Sequence, residues 1–61
     1  MSDFSILVVD DEEAMRESLA AWLKKEGYWV DLAGSAEEAL KKLSRHSFSL
    51  ILLDIKMPGM D

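Results

Sequence analysis

The chain has 61 residues, no cysteine, 49% apolar residues and a net charge of −5. That length allows one small domain, burying only about 60% of its unfolded surface, and the lack of thiols excludes disulfides and thiolate metal sites. The acidic balance argues against a nucleic-acid surface, and with no bilayer-length apolar run and no basic secretory start the expectation is a cytoplasmic globular unit.

Ser5 to Val9 is predicted to be the first strand. It is apolar throughout rather than alternating, as expected of a parallel strand covered on both faces. A helix follows over Glu12 to Glu26, with Met15, Leu19, Trp22 and Leu23 on one face at helical period. Acids at its start and Lys24 and Lys25 at its end suit the helix dipole, and Gly27 stands where a left-handed C-terminal residue is wanted. Trp22 is expected in the core.

Tyr28 to Ala33 alternates, with Tyr28, Val30 and Leu32 on one side and Trp29 and Asp31 on the other. That pattern predicts a half-exposed edge strand, with Trp29 as a partner contact or as cover for a helix. Ser35-Ala36-Glu37-Glu38 reads as a capping box opening a helix with Ala36, Ala39, Leu40 and Leu43 on one face, ending near Arg45. Lys24, Lys25, Lys41 and Lys42 are expected on solvated faces, and His46 as a residue at a helix end. The third strand is predicted over Ser49 to Leu53, and Pro58-Gly59 forces a turn.

The order is β-α-β-α-β, and the connections are long enough for parallel crossovers. With the most apolar strand central, the strand order is 2-1-3 and the helices lie on opposite faces. The expected class is α/β, a βαβαβ unit of the kind that makes half of a flavodoxin-like doubly wound parallel sheet. Two apolar runs end at acids: Ile6-Leu7-Val8-Val9 meets Asp10-Asp11, and Leu50-Ile51-Leu52-Leu53 meets Asp54. In open α/β sheets ligands bind at that end of the strands, around the switch point. Three carboxylates gathered there repel one another unless a cation joins them. A hard ion such as Mg²⁺ suits oxygen ligands, and a carboxylate beside it can attack an activated phosphoryl group. Asp54 is the candidate nucleophile, with Asp10 and Asp11 positioning the metal.

Leu7-Val8-Val9-Asp10-Asp11-Glu12 and Leu52-Leu53-Asp54-Ile55-Lys56-Met57-Pro58-Gly59-Met60-Asp61 resemble the two signature segments of response-regulator receiver domains. The resemblance covers residues 1–61 and about half of such a domain. It implies a two-component phosphorelay module in which Asp54 accepts a phosphoryl group from a histidine kinase or phosphotransfer protein. It also implies Mg²⁺ held by Asp11, by Asp10 through water, by Asp54 and by the backbone carbonyl of Lys56. The family's hydroxyl residue and lysine are expected beyond residue 61, so this segment is not expected to act as an enzyme.

A second expectation, from a different class, is a half-domain without signalling activity that folds as a homodimer by pairing strand 3 edge to edge. A third, a phosphate-ester hydrolase, is weaker because Lys56 stands where such enzymes carry a second acid.

Overall fold

A computed structural model describes residues 4–54, with only the backbone of Asp54. The predicted Pro58-Gly59 turn and the Lys56 carbonyl lie outside the described residues. The elements are β1 (Ser5–Asp10), α1 (Glu13–Lys25), β2 (Trp29–Ala33), α2 (Ala36–Leu43) and β3 (Leu50–Asp54). The strands form one parallel sheet in the order β2-β1-β3, as the sequence pattern predicts.

β1 is central because every residue from Ile6 to Asp10 is buried. Its alternate residues serve two small cores. Ile6 and Val8 pack with Leu23 of α1, while Leu7 and Val9 pack with Ala33 and Ala39 of α2. Strand side chains alternate between faces, so the two helices cover opposite sides of the sheet. Along β2, Val30 and Leu32 join the α1 side and Ala33 the α2 side.

α1 ends in a full Schellman motif: Tyr28 N–H donates to the Leu23 carbonyl and Gly27 N–H to that of Lys24. Gly27 takes φ +99°, where a side chain would be strained. Because Tyr28 N–H closes the helix, β2 begins at Trp29 rather than at the predicted Tyr28. α2 opens as predicted on Ser35, whose Oγ accepts from Glu38 N–H at 3.1 Å. The Glu38 carboxylate reaches back to Gly34 N–H, one residue further than the expected Ser35 N–H.

Two expectations are corrected. Trp22 is not core but 57% exposed, and Met15 beside it on the same ridge is also exposed. α1 lies over β1 and β2 without approaching β3, so its apolar stripe is wider than the surface beneath it. Only Ala20, Leu23 and partly Leu19 are covered. α2 behaves alike: Ala39 is buried, whereas Leu40 is 66% exposed. Lys42 is also no free surface lysine, since its Nζ lies 2.7 Å from Asp31 Oδ1.

Candidate functional site

The parallel register of β1 and β3 places Asp10 opposite Asp54 at the C-terminal edge of the sheet. Neighbouring strands run about 4.8 Å apart, so these two backbones present their acids from adjacent positions. The juxtaposition comes from topology, since 43 residues separate the two in the chain.

Asp10 is the only buried polar or charged residue among those described, at 1% exposure. Three restraints fix it in place. Oδ1 accepts from Glu12 N–H at 2.9 Å, closing a small turn, and the backbone carbonyl accepts from Arg16 Nη1 at 2.7 Å. The third is the strand itself, with Asp10 in register at the end of β1. Oδ2 is buried and has no hydrogen-bond partner. A buried carboxylate oxygen without a partner is costly. A hard cation accepts oxygen ligands of this kind, so the residue fits one.

Asp11 follows in an exposed bend immediately before α1. The positive end of that helix dipole favours negative charge beside it. Among the described residues no three acid, histidine or cysteine side chains form a metal cage. The Asp54 carboxylate is not among those described, so the third predicted acid is located by its backbone alone.

Arg16 escaped the sequence reading. It sits one turn into α1, and among acids on a first turn an arginine reads as an ordinary i, i+4 partner. Its guanidinium instead turns back onto the end of β1. A side chain at Gly34 would place its Cβ 3.1 Å from Arg16 Nη1, so the β2–α2 connection also borders this group.

The second charged cluster lies away from the acid end, along the seam of β2 and α2. Asp31 accepts from Lys42 Nζ at 2.7 Å and from Leu32 N–H at 2.8 Å. Burial pushes its carboxyl up, but the Lys42 and Leu32 hydrogen bonds and the nearby charges of Lys42 and His46 outweigh that and hold it below its ordinary value. His46 also meets the Phe48 ring edge-on at 6.5 Å.

No described helix is long and apolar enough to cross a membrane. The sequence profile of the response regulator receiver domain matches residues 6–61. The transcriptional regulatory protein ResD of Bacillus subtilis is 43% identical over 60 residues, covering 98% of this chain and 25% of its own length. The response regulator protein FleR of Pseudomonas aeruginosa is 45% identical over 56 residues, covering 92% of this chain and 12% of its own. A putative response regulator, NtrX-like, from Rickettsia felis is 43% identical over all 61 residues and 13% of its own length. The chain thus spans a quarter or less of these relatives. No solved structure gives a significant match.

Proposed function

The chain belongs to the response regulator receiver domain family of two-component signalling, and from that premise we propose that Asp54 is its phosphoacceptor. A carboxylate oxygen of Asp54 attacks the phosphorus of a phosphohistidine on a partner kinase or phosphotransfer protein. The new O–P bond forms as the P–N bond breaks, and the imidazole leaves with the electron pair. Asp11, Asp10 through water, Asp54 and the Lys56 carbonyl would hold Mg²⁺. When bound, the ion offsets the negative charge that sets nucleophile and phosphoryl group against each other.

What supports this reading is one observation: Asp10 stands in register with Asp54 and carries a buried oxygen that nothing in the described chain satisfies. The arrangement is wasteful in a closed fold and useful in a cation site. Asp10 keeps one oxygen fixed on Glu12 N–H and leaves the other without a partner. Asp11, exposed, remains accessible to solvent and cation.

The test is the intact mass of the chain after incubation with acetyl phosphate, with and without Mg²⁺. A phosphoryl adduct that needs Mg²⁺ and disappears in Asp54→Asn is expected. An adduct that persists in that variant moves the acceptor elsewhere. Asp11→Asn is expected to lose Mg²⁺ affinity, and unchanged affinity removes Asp11 from the ligand set.

A second reading, which the comparisons do not favour, concerns the 61-residue chain in isolation and rests on the state of β3. Among the described residues no strand pairs with the outer edge of β3, and Leu53 on it is 68% exposed. An open apolar edge invites pairing with another chain. Two copies related by a twofold axis would join β3 to β3 in a sheet ordered 2-1-3-3-1-2. Sedimentation showing a folded monomer at every concentration rules this out.

A further inference from the structure

At the C-terminal edge of the sheet the acid turn after β1 is tied to its surroundings by one side chain. Arg16 Nη1 donates to the Asp10 carbonyl at 2.7 Å, a short charge-assisted bond. The Arg16 backbone N–H also closes onto the Glu12 carbonyl at 2.9 Å. Asp10 Oδ1 in turn holds Glu12 N–H, so Asp10, Glu12 and Arg16 form a closed ring of bonds around the turn. One polar atom of Asp10, Oδ2, is left out of that ring.

Gly34 explains how the guanidinium keeps its place. Gly27 is the one glycine with positive φ among those described, so Gly34 adopts a backbone open to other residues. Its constraint is space: an added Cβ would lie 3.1 Å from Arg16 Nη1 and 3.5 Å from Glu38 Oε1. The β2–α2 connection is further pinned by the Glu38 carboxylate on Gly34 N–H. A glycine that conformation does not demand is therefore matched to an arginine that reaches over it.

Resting on the cation-site reading above, we propose that Arg16 is a positioning residue for the acid turn, and that Gly34 keeps open the space its guanidinium occupies. Arg16 does not touch the reacting atoms. It fixes the main chain of Asp10, and so fixes where the one free carboxylate oxygen points. Groups that orient metal ligands typically change affinity by about 10- to 100-fold when removed.

Charge and positioning predict opposite signs here. If the positive charge of Arg16 acted only by repelling a cation, Arg16→Gln would tighten Mg²⁺ binding. If Arg16 positions Asp10, the same variant weakens it. Gly34→Ala separates the two further, because it keeps the charge and presses on the guanidinium, which must give by a few tenths of an ångström.

The experiment is Mg²⁺ titration of the whole chain by calorimetry, on wild type, Arg16→Gln, Arg16→Lys and Gly34→Ala. Amide exchange at Glu12 is followed without metal. Expected are about tenfold weaker binding in Arg16→Gln and Gly34→Ala, partial recovery in Arg16→Lys, and faster Glu12 exchange in the first two. Equal or tighter binding in both variants overturns the proposal. Unchanged Glu12 exchange overturns it as well. A wild-type chain that binds no Mg²⁺ overturns the cation-site reading itself, an outcome distinct from a wild type that binds and variants that bind equally.

Discussion

Two aspartates on neighbouring strands of one sheet are treated in opposite ways. Asp31, on the edge strand, has a side chain 40% exposed, yet its Oδ1 takes two bonds, from Lys42 Nζ and from Leu32 N–H. Asp10, on the central strand, is almost wholly buried, yet one of its oxygens has no partner. Stability alone favours the reverse, since water satisfies an exposed acid at no cost and a buried one needs the protein. The fold has therefore given a cation to the acid that water could also serve. The difference sets Asp31, paired within the fold, against Asp10, whose Oδ2 the described residues leave without a partner.

The largest expected effect comes from removing the charge of Asp10. Asp10→Asn keeps an oxygen for Glu12 N–H and abolishes the buried, half-satisfied carboxylate. In Mg²⁺-free buffer the variant is expected to gain about 1–3 kcal/mol by urea denaturation. Added Mg²⁺ is expected to stabilise the wild type, by about 2.7 kcal/mol at a hundredfold excess over Kd, and to leave the variant unmoved. A variant less stable than wild type without Mg²⁺ would mean Asp10 is already satisfied within the fold, and the contrast with Asp31 would collapse.

The sequence shows some of this plainly and hides the rest for physical reasons. The unbroken run Ile6 to Val9 ending in two acids marks both the central strand and the candidate site, because only a strand covered on both faces dispenses with alternation. Gly27 after a lysine-ended helix gives the Schellman turn by local chemistry alone. Trp22 goes astray because helical periodicity identifies an apolar stripe but not how wide a surface it meets. Arg16 and Lys42 are silent in sequence, since a long basic side chain on a helix reads the same whether it is solvated or reaches a carbonyl or carboxylate on a nearby strand. The Glu38 cap is legible as a motif, but which N–H it takes depends on how the connection from β2 enters the helix.

Ser35 is exposed, with its hydroxyl oxygen engaged locally on Glu38 N–H. Ser35→Ala is expected to cost about 1 kcal/mol by thermal or urea unfolding. An effect near zero would mean that the Glu38–Gly34 bond alone holds the start of α2.

The smallest effect is expected at Asp31 itself, and its pH dependence carries the comparison furthest. Its folded carboxyl is held below its ordinary value, so the folded state binds that proton less readily than the unfolded chain. The pair's contribution is therefore complete above the ordinary carboxylate range and is lost as pH falls through the lower, folded value. Below that value both states are protonated and nothing remains. Solvent screens a group this exposed, so the coupling in an Asp31→Asn, Lys42→Met double-mutant cycle is expected at about 0.2–1 kcal/mol at neutral pH. The cycle is expected to close to zero in acid, and to shrink in high salt. A coupling of several kcal/mol, or one that persists after Asp31 is protonated, would show that the exposed acid bears more of the fold than its surroundings allow. The asymmetry with Asp10 would then reflect two structural acids of unequal burial, rather than one structural acid and one kept for a ligand.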